Sequence, residues 1–378
     1  MHIIYFLTYN YSFKSWNESG NLPRELAYFK KFKEFDENIK FTFVSYGKKD
    51  DRKFFDRSLG NELISIYEYL PDCKNKYLRF LVSLYAPFVL KKMIDIKSVD
   101  LVKQNQIQGS WVSIIFKIIV KKPIIIRTGY DALTFKIKER KPRIIILFYK
   151  LLTKYSLSQS DIYTVTSEVD KKFLKSNFKN YKKIKLRRNF VTVNNNYVKI
   201  PVENRDSKII CVGRLVEQKN LFFIIDEFKD LQINLEIYGD GSQKEKLTSL
   251  ISLNSLPVNV MGQIENPKIL DKLNNSKYFV SASFFEGNPK NVLEAMLSGC
   301  IVFVSENENT KEIITDGEDG FLYSLEKGAL KRKFSINTLN EELLHNISLN
   351  ASNRVKKNNS LEKLVKLEIS DFKEVVPE

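Results

Sequence analysis

The sequence predicts an α/β protein of two domains, each a parallel sheet flanked by helices, facing one another across a cleft. Three observations predict it. The chain has 378 residues, about two to three times the usual length of one domain. Short apolar runs rich in Ile, Val, Phe and Tyr recur along it, separated by segments long enough for crossover helices. A polar, turn-rich stretch near residues 189–206 divides those runs into two groups and reads as a linker.

In the first group the runs are Ile3–Leu7, Phe41–Ser45, Pro123–Arg127 and Ile162–Thr166. In the second they are Ile209–Val212, Leu235–Tyr238, Tyr278–Ser281 and Ile301–Val304. Runs without alternation suit strands buried on both faces, as in a parallel sheet. Pro23–Phe35, with Leu26, Phe29 and Phe32 at helical spacing, reads as one of the crossover helices. Near the end, Ser360 as N-cap with Leu361, Leu364, Val365 and Leu367 predicts an amphipathic helix. The expected division is 1–190, 191–345 and a tail with its helix at 346–378.

Composition narrows the chemistry. With 43% hydrophobic and 28% charged residues the chain has an ordinary globular core, which excludes disorder over most of its length. Fourteen Gly and ten Pro are too few for a collagen-like or low-complexity protein. Three dispersed cysteines (Cys73, Cys211, Cys300) make neither a disulfide framework nor a zinc cluster. His2 and His345 are the only histidines, which argues against a His-centred metal site or a Ser-His-Asp triad. Carboxylates, Lys, Arg and backbone amides must carry the chemistry.

The charge is uneven. Residues 1–200 hold 39 Lys+Arg and 18 Asp+Glu, a net of +21, whereas residues 201–378 hold 22 and 27, a net of −5. The basic half points to an anionic partner: nucleic acid, a phospholipid surface or a lipid-phosphate substrate. It is equally read as a Lys-rich solvated surface. Two stretches, Tyr77–Lys92 and Lys141–Lys154, mix long apolar runs with flanking cations. They read either as core helices or as basic amphipathic elements on anionic lipid. No segment has the roughly 18–20 apolar residues needed to cross a bilayer. Met1–Leu7 lacks the basic flank and cleavage site of a signal peptide, so the default expectation is cytoplasmic, with peripheral contact at the inner membrane face.

The most informative stretch is Phe285-Glu286-Gly287-Asn288-Pro289-Lys290-Asn291-Val292-Leu293-Glu294-Ala295-Met296-Leu297-Ser298-Gly299. It follows the run Tyr278–Ser281, with Asn288 as N-cap, Pro289 in the first helical position and Gly299 just past the end. The free amides and positive dipole end of that helix would project from the carboxyl edge of the sheet, where open α/β sheets bind ligands. Glu286 and Glu294 bracket the turn. Carboxylates beside a phosphate site suit hydroxyl groups, hence a sugar. A second element, Cys211 to Asn220, places Gly213, Arg214 and Lys219 at the end of another strand. Glycine permits close backbone approach, and the two cations would neutralise a diphosphate without a metal. Read locally, each of these is also a surface charge or a capping-region carboxylate. Tyr238-Gly239-Asp240-Gly241 is a third strand-to-helix turn.

Together these motifs resemble the retaining glycosyltransferases of GT-B fold, glycosyltransferase family 4 (glycosyl transferases group 1), in which two Rossmann-like domains face each other. The match runs over residues 207–325 and includes Met261-Gly262 and Asp316-Gly317 to Gly320-Phe321, in order. Upstream, Ser19-Gly20-Asn21-Leu22-Pro23-Arg24-Glu25 resembles the family's glycine-containing loop after the first strand, near the acceptor, while Lys103-Gln104-Asn105-Gln106 through Gly109 and Ile126-Arg127-Thr128-Gly129-Tyr130-Asp131 resemble members working on bacterial surface polysaccharide.

By that resemblance, Glu294 would bind the ribose of a nucleotide-diphosphate sugar, UDP first and GDP second. Arg214 and Lys219 would bind its diphosphate, Glu286 the transferred sugar, and the Gly213, Gly287 and Asn288 backbone the sugar or phosphate. Gly20 and Arg127 would stand on the acceptor side, although Arg127 could equally pair with Asp131. The acceptor would be a glycan or lipid-diphosphate-linked glycan, with no metal and no cofactor beyond the donor co-substrate. Many relatives carry a His in the N-terminal half of the cleft; this chain has none there. Two other readings compete. A non-hydrolysing nucleotide-sugar epimerase shares the plan but wants acid/base groups. A nucleic-acid-binding protein is suggested by charge alone, without a recognisable module.

Overall fold

The computed structural model describes residues 1–59, 62–178, 183–192, 199–231, 233–254, 256–337 and 340–376, which form two units. The first is Met1–Arg188 with Leu361–Glu378, and the second is Asn189–Ser360. The residues expected as a separate tail are therefore shared. Helix Glu341–Asn359 belongs to the second unit, while helix Leu361–Val375 returns to the first. Of the stretch read as a linker, residues 189–192 pack within the second unit, with Val191 bridged to Ser360, and residues 193–198 lie outside the described residues.

The first unit is built on strands β1 (His2–Phe6), β2 (Lys40–Ser45), β3 (Glu62–Ser65), β4 (Leu101–Asn105), β5 (Ile124–Arg127), β6 (Ile162–Val165) and β7 (Ile184–Leu186). They pair in the order β3-β2-β1-β4-β5-β6-β7, every pair parallel. Ile3 sits opposite Phe41 on one side and Leu101 on the other. One face of β1 and β2 carries Tyr5, Phe41 and Phe43, and the helix Leu22–Phe35 lays Phe29 and Phe32 against them. The 4.7 Å centroid separation of Phe29 and Phe43, with rings nearly perpendicular, is the edge-to-face geometry aromatic pairs prefer. The other face buries Ile4, Phe6, Val44, Val102 and Ile126 under the remaining helices.

The second unit repeats the plan with β8 (Asp206–Val212), β9 (Leu235–Tyr238), β10 (Val258–Gly262), β11 (Ser276–Ser281), β12 (Ile301–Ser305) and β13 (Phe321–Tyr323). Their order is β10-β9-β8-β11-β12-β13, again all parallel. The chain winds outward from β8 in one direction, then returns beside it with β11 and winds the other way. The turns after β8 and β11 are thus neighbours at the carboxyl edge, at the point where strand order reverses. That is where doubly wound sheets hold ligands.

Helix Leu361–Val375 docks on the first unit with a stripe that the sequence reading placed differently. Leu364, Val365 and Phe372 are buried with Glu368 and Asp371, whereas Leu367 is exposed. At 100° per residue, position 368 rather than 367 continues the face begun by 364 and 365. The buried carboxylate of Glu368 accepts from the Lys103 ammonium (2.8 Å) and the Tyr28 hydroxyl. Lys103 also donates to the Tyr28 oxygen (2.6 Å), and Phe372 stacks on Phe32. Asp371 receives Arg187 in a two-pronged pair, Nε to Oδ2 at 2.7 Å and Nη2 to Oδ1 at 2.5 Å.

A buried carboxyl in this unit gives a pH-dependent prediction. Asp170, in the first turn of helix Glu168–Asn177, is buried, and its Oδ2 has no hydrogen-bond partner among the described residues. Burial, reinforced by the nearby Asp131, pushes its pKa up to about 6. A carboxyl whose folded pKa is raised contributes stability that is present below its unfolded value, about pH 4, and lost as pH rises to about 6. Asp170→Asn is therefore expected to match the wild type near pH 4 and to exceed it by about 2–3 kcal/mol at pH 7. Urea denaturation at the two pH values reads this, and a variant equally or less stable at pH 7 would refute it.

Candidate active site

The turn after β8 is shaped by glycine. Gly213 has φ +153°, a conformation L residues rarely adopt. Gly239, at the end of β9, lies so close beneath it that an added Cβ would stand 1.9 Å from the Gly213 carbonyl oxygen. The two turns are stitched by Gly213 N–H to Tyr238 O (3.0 Å) and Leu215 N–H to Asp240 O (2.8 Å). Gly239→Ala is accordingly expected to push the 213–215 turn out of register and destabilise the protein by about 1–3 kcal/mol. Its melting temperature should fall in step. A variant that melts as the wild type does would show that the 213–215 turn yields to the added methyl group at no cost.

The turns after β8 and β11 are zipped together. Phe284 N–H donates to Gln218 O (3.0 Å), Gln218 Nε2 to Phe285 O (2.8 Å), and Asn291 Nδ2 to Val212 O (2.6 Å). The zipper brings the Lys219 ammonium onto the Glu286 carboxylate as a largely buried ion pair. Arg214 stands exposed at the rim, with no ion-pair partner among the described residues. Beneath the pair, Cys211, Gly213, Ile237, Val280 and Ser281 line a small cavity. Burial pushes the Cys211 thiol far up, so it is no nucleophile.

The helix that follows β11 spans Lys290–Ser298, one residue later than the sequence suggested, with Pro289 at the N-cap. Asn288 does not cap it. Its Oδ1 accepts the Asn189 backbone N–H (2.9 Å), while its carbonyl accepts Asn189 Nδ2 (2.7 Å). The backbone donor at 189 claims the side chain that would otherwise cap, and proline at the N-cap leaves no N–H to bond there. Gly299 ends the helix at φ +80°, as expected of a C-terminal glycine. The N–H groups of Gly287 and Asn288 meet no acceptor among the described residues, which leaves two donors beside the positive end of the helix. Glu294 is buried on the helix's inner side, its Oε1 accepting from Asn266 Nδ2 (2.9 Å).

The site-building asparagines were the residues that sequence reasoning missed. Asn266 opens helix Asn266–Asn275 directly after β10, and Asn309, in the capped turn after β12, donates to the Glu286 carbonyl. The signal was available: Asn-Pro at 266–267 marks a further strand-to-helix turn on the carboxyl edge. Asp316 and Gly317 shape the turn into β13, Asp316 accepting the Leu322 N–H (2.8 Å).

In the first unit the two expected acceptor residues are placed otherwise. Gly20, at φ +69°, is the left-handed residue between helices Phe13–Glu18 and Leu22–Phe35, one short helix removed from the end of β1. Arg127 ends β5 but is only 8% exposed, with its Nε 3.6 Å from Glu368. Its charge is engaged by the C-terminal helix, a partner more than two hundred residues away that local sequence could not reveal. Asp131 instead caps helix Ala132–Lys138 through the Thr134 N–H (2.7 Å).

Two doubly wound parallel sheets, the second with cations, carboxylates and free amides gathered at its switch point, define the GT-B class of α/β protein. Residues 194–354 match the family model described as glycosyl transferases group 1. An uncharacterized glycosyltransferase of Methanocaldococcus jannaschii is 36% identical over 171 residues, 41% of either chain. The capsular polysaccharide biosynthesis glycosyltransferase CapH of Staphylococcus aureus is 31% identical over 32% of this chain and 35% of its own. The chain thus aligns with less than half the length of these two relatives. The solved structure of Anabaena HepE in complex with UDP superposes with a TM-score of 0.73 at 14% identity, covering 99% of this chain and all of that one.

Proposed function

We propose that the chain is a retaining glycosyltransferase of surface-polysaccharide synthesis that uses a nucleotide-diphosphate sugar, UDP-linked by preference, and no metal. One observation carries the reading: Lys219, Glu286, Glu294 and the free amides of Gly287 and Asn288 converge at one switch point. A diphosphate there meets Lys219, Arg214 and a helix N-terminus, while Glu294 faces the ribose. The UDP in the HepE complex and the capsular role in the name of CapH support the donor and the pathway class.

The reaction needs no protein nucleophile. As the bond between the sugar's anomeric carbon and the diphosphate oxygen lengthens, its electron pair moves onto the diphosphate, where Lys219 and Arg214 stabilise it. Glu286, released from Lys219 as the ammonium turns to phosphate, orients sugar hydroxyls near the carbon that becomes positive. The acceptor hydroxyl attacks from the face the diphosphate leaves, giving its proton to the departing oxygen, so configuration is retained. The acceptor is a glycan or a lipid-diphosphate-linked glycan.

The test is nuclear magnetic resonance of the purified protein incubated with UDP-sugars and bacterial lipid-linked glycan. Release of UDP with a new glycoside of the donor's anomeric configuration is expected. An inverted product, or a donor epimerised without transfer, would overturn the reading.

A further inference from the structure

Two helices of the first unit turn apolar faces to the outside. On helix Lys76–Met93 the residues Tyr77, Leu81, Tyr85 and Phe88 recur at spacings of four, four and three, one stripe of an α-helix. On helix Arg143–Gln159, Ile144, Leu147, Leu151 and Tyr155 do the same. All eight are exposed, between 42 and 77%. These are not helices waiting for a core, because each has already buried its opposite side: Ser83, Ala86, Pro87 and Leu90 on the first, Leu152, Thr153, Ser156 and Leu157 on the second. Both pack on helix Ser110–Val120, and Phe80 of one meets Phe148 of the other at 6.4 Å between centroids. The stripes therefore adjoin in one patch, and eight large apolar side chains exceed what a monomer's surface ordinarily shows in one place.

Charge identifies what covers the patch. Residues 74–93 carry five Lys and Arg and no Asp or Glu; residues 136–159 carry seven and Glu139 alone. Cations stand at both ends of the first helix and at the start of the second, with Lys150 and Lys154 between the apolar positions of the second. A protein partner of this size of apolar surface would bring a rim of mixed sign, and a second copy of the chain would set these cations against themselves. A bilayer rich in anionic lipid matches both features, since aromatic and aliphatic side chains enter the headgroup–acyl boundary while Lys and Arg meet phosphates. No helix of the described residues is long and apolar enough to cross a membrane.

We propose that the face formed by helices Lys76–Met93 and Arg143–Gln159 docks the protein in-plane on an anionic bilayer. The docking is independent of donor chemistry. The experiment is co-sedimentation of the full chain with vesicles of phosphatidylglycerol and phosphatidylcholine, or of phosphatidylcholine alone, with sedimentation velocity on the free protein. The variants are Leu81→Gln/Leu147→Gln/Leu151→Gln and Lys150→Glu/Lys154→Glu, all at exposed positions, with circular dichroism melting to show that they fold. Wild type is expected on the anionic vesicles and at least about tenfold less on the neutral ones. Each variant should lose about tenfold or more of that binding while melting like the wild type. Binding lost to charge reversal but indifferent to the apolar triple substitution would be adsorption of a basic protein, and would overturn the proposal. So would wild type that ignores vesicles, or a dimer in solution that the triple substitution dissolves.

Discussion

Lys219→Ala is expected to lower kcat by about 10²–10³-fold, the cost of removing one preorganised charge from a site where negative charge develops. The structure makes Lys219 the better placed of the two cations. It is largely buried beside Glu286, whereas Arg214 is exposed at the rim, so Arg214→Ala should cost less. Removing Lys219 also leaves the Glu286 carboxylate buried at 7% exposure without its ion-pair partner. Thermal denaturation of the same variant separates a loss of fold from a loss of transition-state stabilisation. If kcat fell less than tenfold in a folded Lys219→Ala protein, the leaving diphosphate would be stabilised by other groups.

Glu368→Ala is expected to destabilise the first unit by about 3–5 kcal/mol, because it strands a buried ammonium rather than merely deleting a contact. Lys103 is 1% exposed, with the rings of Tyr5, Tyr28, Phe32 and Phe372 around it, and Glu368 is its ion-pair partner at 2.8 Å. Burial already drives the Lys103 pKa down, Glu368 opposing. Replacing both, Lys103→Met with Glu368→Leu, removes the stranded charge and should recover most of the loss. Urea denaturation of the two single variants and the double variant reads the cycle. A Glu368→Ala protein within about 1 kcal/mol of wild type would mean that the C-terminal helix docks by its apolar stripe alone.

How much of this was legible beforehand depends on how local the determining forces are. Strands β1, β2, β5, β6, β8, β9, β11 and β12 announce themselves as apolar runs because both their faces are covered. β4 does not. Leu101-Val102-Lys103-Gln104-Asn105 is central and fully buried, yet three of its five side chains are polar. Lys103 pairs with Glu368, and the Gln104 amide nitrogen donates to the Leu7 carbonyl, partners that only the fold brings near. The edge strands β3, β7, β10 and β13 were missed for another reason. They are short or alternate in exposure, as edges do, and carry too little apolar sequence to stand out.

The placement of Gly213, Lys219, Glu286 and Glu294 at strand-end turns and on the helix after β11 was readable because turn chemistry and helix ends are local. Two things were not: that Lys219 and Glu286 hold each other, and that Asn288 serves Asn189 rather than its helix. Both depend on which turns the strand order places side by side. The stretches Tyr77–Lys92 and Lys141–Lys154 were ambiguous between core and surface, since a helix with apolar residues on two sides reads alike in either setting.

A nucleotide diphosphate is expected at the β8–β11 switch point, with its ribose on Glu294. A thermal-shift titration of UDP, GDP and ADP and their sugar conjugates, on wild type and Glu294→Ala, tests it most directly. Ligand at one hundred times Kd stabilises by about 2.7 kcal/mol, readily visible as a raised midpoint. The expected result is a rise with one nucleotide, UDP first, that the variant loses while melting cooperatively by itself. A wild type that melts cooperatively and responds to none of them, or a variant that responds as wild type does, would contradict it.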